Sequence, residues 1–379
     1  MDDLTRFSYT FGIEEELFLA HPKSRSLAVE VPRSFLSACR RRFGNAIAPE
    51  LLWSQIEIVS PVFERAEHAR QELARLRSGV AEIAMDKNLR LLASGTHPIC
   101  AWGEQLETPN KRYRALMEDF QIIARRNVLC GLHIHVAVPP QVDRVKLMNL
   151  VMPWLPVFLA LSTSSPFWNR SNTGLLSYRQ AAYDEWPRTG VPDYFKDEAE
   201  YARFVELLAA GGAVKDASFL WWAIRPALRY PTLELRICDA CTRLDDTLAI
   251  AALYRCLIRM LCRNPDLGVD WTPFTRRLID ENRWRAKRLG LDAEFISLDG
   301  SPARSCKAVV ESLLHQLAED AAALHCEREL ARIPALFKEG TSAHVQVKLY
   351  RAFLQRGDTP TKAMQSVVDW LVAATMPQP

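Results

Sequence analysis

The sequence lacks most of the features that place a chain in a ready class. It has no uninterrupted apolar stretch of about 18 residues, so no transmembrane helix and no membrane partner are expected. Met1-Asp2-Asp3-Leu4 lacks the basic region and apolar core of a signal peptide, which fits a cytoplasmic location. An excess of one charge is also missing. With 48 basic and 45 acidic residues in 379, nothing draws the chain to nucleic acid or to an anionic surface. Nine cysteines, an odd number scattered along the chain, argue against a disulfide framework and for reduced thiols. Neither G-x-x-x-x-G-K-[ST] nor G-x-G-x-x-G occurs, which disfavours P-loop and dinucleotide folds. No repeat, low-complexity tract or convincing linker divides the chain. Residues 1–379 therefore read as a single domain, with 244–379 its mainly helical C-terminal part.

What is present begins with Phe11-Gly12-Ile13-Glu14-Glu15-Glu16-Leu17-Phe18-Leu19, three carboxylates inside a β-favouring run. A strand sends alternate side chains to opposite faces, so Glu14 and Glu16 share one face while Ile13, Glu15, Leu17 and Leu19 share the other. Residues 54–59, 127–138 and 232–239 repeat the alternation. They set Glu57, then His133 and His135, then Glu234 and Arg236, opposite apolar partners. Further strands are expected at 90–94 and 220–228. Helical periodicity marks 62–88, with Leu73, Leu76, Val80 and Ile83 as its apolar stripe, then 110–126 and 142–161, the last bent at Pro153 and Pro156. Residues 162–196 have little periodicity, many turn formers and seven aromatics. They are expected to form an irregular loop that is ordered by substrate or packed as core.

Four strands thus carry an apolar face and a face of ionisable groups. An exposed sheet face is ordinarily richer in Thr, Ser, Lys and Gln. Clustered carboxylate oxygens suit Mg²⁺ or Mn²⁺, and helices on the apolar side would leave the ionisable side as a cavity wall. Each motif has a plainer reading by itself. His133 and His135 could be ordinary sheet histidines, Glu234-x-Arg236 a structural ion pair, and Cys238-x-x-Cys241 two buried thiols.

Six segments, in order, resemble the type 2 glutamate–cysteine ligase family. They are Gly12-Ile13-Glu14-Glu15-Glu16, Gly95-Thr96-His97-Pro98, Cys130-Gly131-Leu132-His133-Ile134-His135-Val136, Thr232-Leu233-Glu234-Leu235-Arg236, Asp239-x-Cys241-Thr242 and Glu281-Asn282-Arg283-Trp284. The resemblance implies an α+β, glutamine-synthetase-like fold: a curved, mainly antiparallel sheet forming a funnel-shaped site, with helices on its outer face. It implies an ATP-dependent ligase that joins a small-molecule carboxylate to an amine through an acyl phosphate, and a homodimer; it allows weak glutamate–cysteine ligase activity. It assigns Glu14, Glu16, Glu57 and Glu234 to metal ions and Glu57, His133 and Arg236 to catalysis. His135, Arg236 and Arg283 fall to the nucleotide, and Arg112, Arg179 and Arg225 to substrate carboxylates. Two rival readings stay open: a metal-dependent hydrolase built on His133 and His135, and a non-catalytic regulator that binds ATP with Mg²⁺.

Overall fold

A computed structural model describes residues 2–377. Its centre is a seven-stranded sheet. The strands are β1 (Phe11–Ala20), β2 (Ile47–Pro49), β3 (Gln55–Val59), β4 (Arg90–Leu92), β5 (Gly131–Ala137), β6 (Ile224–Pro226) and β7 (Thr232–Asp239). Their order is β2-β3-β1-β5-β7-β6, with β4 paired to the far end of β1. Every pairing is antiparallel, giving the α+β fold that the family resemblance implies.

The apolar face is covered by helices. These are α1 (Ala66–Asp86), α2 (Arg144–Val151), α3 (Leu155–Ser162) and α5 (Leu244–Arg263); α4 (Tyr178–Tyr183), α6 (Thr275–Leu289) and α7 (Ser342–Gln355) come between or after them, and α8 (Pro360–Thr375) buries Met364, Val367, Val368 and Leu371 in a second cluster with Phe18 and Leu92. Ile13, Leu17, Ile56, Ile58, Leu132, Ile134, Leu233 and Leu235 are buried in one core with the apolar stripes of α1, α2, α3 and α5. α5 is buried along nearly its whole length, so it is the central helix rather than a surface one.

Several boundaries differ from expectation, each for a local reason. The helix expected at 110–126 breaks at Gln121, whose φ of 48° no helix accommodates. The strand expected over 220–228 shortens to three residues, because the turn before it is capped by Asp216. The apolar helix at 142–161 divides into α2 and α3 around a 3-10 turn holding Pro153. That stretch, Arg144–Ser162, is long and apolar enough to cross a membrane, contrary to the expectation of none, but 78% of its most apolar window is buried inside the protein.

Residues 162–196 depart furthest. Their first half is scaffold: Ser164 donates its backbone N–H, and Ser165 and Ser177 their hydroxyls, to the buried Asp239 carboxylate at the end of β7. All nine cysteines are buried and unpaired, Cys238 and Cys241 among them.

Candidate active site

The register places the ionisable residues side by side across five strands. Glu16 faces Glu57 on β3, Glu14 faces His133 on β5, His135 faces Glu234 on β7, and Glu234 faces Arg225 on β6. A bulge in the β5–β7 pairing falls between Leu132 and Ile134, at His133. Such an irregularity re-aims a side chain, and here it turns the His133 ring toward Glu14 and Arg236. These groups line a cavity of about 490 Å³, the size range of a small-molecule site.

Three sets of donor atoms lie within 4.8 Å of one another: Glu14, Glu57 and His133; Glu14, His135 and Glu234; Glu16, Glu50 and Glu57. Each is mostly carboxylate oxygen, the donor set of Mg²⁺ or Mn²⁺ rather than zinc. No set contains both histidines, which weakens the reading as a zinc hydrolase. Each histidine has a separate second partner: His133 Nδ1 lies 3.3 Å from Glu14 Oε2, and His135 Nδ1 lies 2.9 Å from Thr232 Oγ1. Among the described residues, His133 Nε2 and Arg236 Nε are buried polar atoms of this wall without a hydrogen-bond partner, so it keeps donor and acceptor capacity for a ligand.

Charge is unevenly distributed along this wall. At Glu234, burial favours the neutral acid, but Arg236 and Arg225 outweigh it and hold the carboxyl well below the usual carboxylate range. Glu14 is likewise pulled down: burial raises it, and the hydrogen bonds with His133 and His135 win. His133 is itself pushed down, by burial and then by Arg236, so it stays neutral near pH 7 and meets Glu14 as a hydrogen-bond donor. At the other end, burial and the neighbouring Glu16 push Glu50 up to about 8. Glu57 is raised well above its ordinary value by burial and then by Glu50, Glu14 and Glu16. Like charges this close require a cation or a proton between them.

The arginines divide into three kinds. Arg236 ion-pairs with Glu234 and keeps its Nε toward the cavity. Arg225 donates to Glu234 (2.8 Å) and to the carbonyls of Ser218 and Leu220, and it lines the cavity. Arg179 is 2% exposed, donates to the Cys238 carbonyl, lies over the Tyr183 ring and keeps an unpartnered Nε. Arg112 stands at the cavity rim over the Phe219 ring, 5.6 Å from its centroid.

Arg283, expected at the nucleotide, is not brought to the cavity lining. Its guanidinium pairs with Asp184 at 2.8 Å and Asp280 at 3.1 Å, behind α4. The residue that sequence reasoning misses is Glu50. It follows a three-residue strand too short to show alternation, and its one signal is an acid directly after Ile47-Ala48-Pro49.

The sequence model of Glutamate-cysteine ligase family 2 matches residues 10–366. The chain belongs to that family. A relative from Ectopseudomonas mendocina is 44% identical over 367 residues, covering 97% of each chain, and one from Rhodospirillum rubrum is 42% identical over 97% of this chain and 96% of its own. Both carry the name "Putative glutamate--cysteine ligase 2". The fold is shared with the crystal structure of a glutamate–cysteine ligase from Francisella tularensis in complex with AMP, at TM-score 0.70, 12% identity, and coverage of 97% of this chain and 89% of that one. It is shared also with a bifunctional glutathione synthetase from Pasteurella multocida, at TM-score 0.70 and 14% identity, covering 97% of this chain and 52% of that one. As a member of glutamate–cysteine ligase family 2, the protein is an ATP-dependent ligase that forms C–N bonds between carboxylate and amine.

Proposed function

We propose that the enzyme activates its carboxylate substrate as an acyl phosphate and then passes the acyl group to an amine, glutamate and cysteine being one pair it accepts weakly. The observation that carries this reading is the pairing of opposite demands on one wall. Five carboxylates, Glu14, Glu16, Glu50, Glu57 and Glu234, share a cavity with Arg236, whose Nε is free for an anion. A carboxylate is a poor electrophile, and phosphorylation gives it a leaving group. The cost is a crowd of negative charge that fixed cations must neutralise.

Glu14, Glu16, Glu57 and Glu234, with Glu50 and the histidines beside them, would hold Mg²⁺ or Mn²⁺. When bound, such ions supply positive charge against the triphosphate and the transferring phosphoryl group. Arg236 lies beside them and stabilises the phosphoryl group in transfer. Its tie to Glu234 keeps the guanidinium fixed, so no reorganisation is needed at that moment. Arg179, buried and unpartnered at Nε, receives the substrate's other carboxylate, with Arg112 at the rim as a second cation. Arg225 and His135 act through their neighbours, holding Glu234 and Glu14 in place.

The test is a carboxylate substrate labelled with ¹⁸O, with ATP and Mg²⁺. Label appearing in the released phosphate, and a hydroxamate formed when hydroxylamine replaces the amine, are the expected results. Unlabelled phosphate formed in step with the amide would remove the acyl phosphate. Ester or amide hydrolysis without ATP would favour the hydrolase, and ATP binding without turnover over any carboxylate–amine pair would favour the regulator.

A further inference from the structure

The cavity has two unlike ends on the one ionisable face of the sheet. On the β6–β7 side, beyond His135 and Glu234, the hairpin tip presents Leu228 and Tyr230, exposed by 58% and 61%. Tyr230 sets its ring edge-on to His135, with centroids 6.2 Å apart. This end is open to water. On the opposite side, beyond Glu16, Glu50 and Glu57, the wall is aromatic and enclosed. Tyr113 donates its hydroxyl to the Pro49 carbonyl at 2.8 Å, next to Glu50. Leu116, Leu129, Trp186 and Trp221 complete that wall. The Trp186 and Trp221 rings meet edge to face at 5.3 Å, and Phe120 packs against both, at 4.9 and 5.7 Å. Trp221 and Tyr113 line the cavity and are only half-buried, whereas an ordinary core aromatic would be covered. Tyr183, three residues before Trp186, lines the cavity with Arg236 and interacts with it electrostatically. The aromatic wall therefore runs from the arginine beside the transferring phosphoryl group to Tyr113 beside Glu50.

Resting on the ligase reading above, we propose that this enclosed wall is the acceptor subsite, and that it takes a primary amine with an aromatic or comparably bulky apolar body. A reactive acyl phosphate calls for the acceptor at the end from which water is excluded, leaving the open hairpin end to the nucleotide base. A flat apolar wall gains in proportion to the area it covers, and aromatic partners add edge-to-face contacts. The side chain of cysteine would leave most of Trp186 and Trp221 uncovered. The amine could be an arylalkylamine or an aromatic amino acid, and in the latter its carboxylate would meet Arg112, which has no side-chain ion pair among the described residues. In the transfer, the amine nitrogen bonds to the acyl carbon. The bond between that carbon and the phosphate oxygen breaks, and phosphate leaves with the electron pair and one proton from nitrogen.

The experiment uses the full-length enzyme with ATP, Mg²⁺ and the carboxylate that gives hydroxamate. Coupled ADP release is compared for cysteine, alanine, ethylamine, phenethylamine, tyramine and phenylalanine. The aromatic amines are expected to exceed cysteine and ethylamine in kcat/KM by about tenfold or more, the range that a hydrophobic pocket can discriminate. In Trp221→Ala, the KM for the aromatic amine should rise about tenfold while the KM for ATP does not follow it. Trp221→Phe should recover most of the preference, which separates a contact role from loss of fold. Hydroxamate formation with no preference for aromatic amines would overturn this inference and leave the ligase reading standing. A rise in the KM for ATP instead of the amine would overturn it in favour of a base-binding wall. Absence of hydroxamate with every carboxylate would overturn both.

Discussion

Consecutive residues of β1 place carboxylates on opposite faces of one sheet, under opposite rules. Glu15 points back into the helices and is 2% exposed. Arg77 of α1, fully buried, donates to it from Nε at 3.0 Å and also from Nη2, and Thr247 adds its hydroxyl at 2.8 Å. The remaining Arg77 donors go to the carbonyls of Cys241, Thr242 and Thr375, tying β1 and α1 to the chain after β7 and to α8. Here the Glu15 and Arg77 charges answer one another within the protein. On the other side Glu14, Glu16, Glu50 and Glu57 crowd one another, and His133 Nε2 and Arg236 Nε lack partners. Complete satisfaction marks scaffold; a deficit of cation in a cavity marks a place built for something that comes and goes.

Substitutions that exchange the two environments test that contrast. The largest effect is expected from Glu15→Gln. It leaves the Arg77 charge buried without its counter-charge, a change that costs about 3–5 kcal/mol in comparable sites. Chemical denaturation should register the loss, with little soluble protein at elevated temperature. Glu57→Gln should do the reverse. Turnover should fall about 100- to 1,000-fold, the scale for removing one charge-stabilising contact in an active site. The melting temperature in chelator should hold or rise, because one of several like charges is gone. Full turnover in Glu57→Gln at saturating Mg²⁺ would remove it from the metal set.

The same contrast explains what the sequence discloses. Strand alternation is a period-two signal, so it alone assigns Glu14, Glu16, Glu57, His133, His135 and Glu234 to one face. It does not disclose the partner of Glu15. Arg77 lies 62 positions away and inside the apolar stripe of α1, between Leu73 and Val80, where a charge reads as an exception rather than as half of an ion pair. Arg283 shows the limit from the other side: its segment fits the family pattern, yet its charge is used by Asp184 and Asp280. The segment 162–196 reads as a loop because its order comes from Asp239, a contact some 60–75 residues away in sequence, and not from any periodicity of its own.

A third test moves one arginine across the boundary between scaffold and site. Gly131 starts β5, and a Cβ there would stand 2.2 Å from Arg179 Nη2 and 2.8 Å from its Cζ. Backbone conformation does not require glycine at this position; the guanidinium lying on it does. Gly131→Ala should push Arg179 off its shelf while its bond to the Cys238 carbonyl and its stacking on Tyr183 limit how far it moves. The expected result is a KM for the carboxylate substrate raised about tenfold, with kcat affected less, since a misplaced positioning contact weakens binding before chemistry. Unchanged carboxylate KM would place that substrate away from Arg179.

The smallest effect is the pH dependence of the metal-free protein, and its sign follows from the crowded side of β1. Glu50 titrates near 8 in the folded protein against an ordinary value of 4.5, because burial and Glu16 disfavour its charge. Glu57 is shifted in the same direction. Between 4.5 and about 8 the folded state therefore binds more protons at these two groups than the unfolded state does. Stability from them is fully present below 4.5 and is lost as pH rises through the folded values. With chelator present, the melting temperature should be lower at about pH 8.5 than at about pH 6. Glu50→Gln removes one of the responsible groups and should flatten the difference. Added Mg²⁺ should raise the melting temperature more at the higher pH than at the lower, since the cation binds the deprotonated set and no longer competes with protons there. An equal Mg²⁺ shift at both pH values, together with an unchanged slope in Glu50→Gln, would show that the crowded carboxylates are not the groups being neutralised.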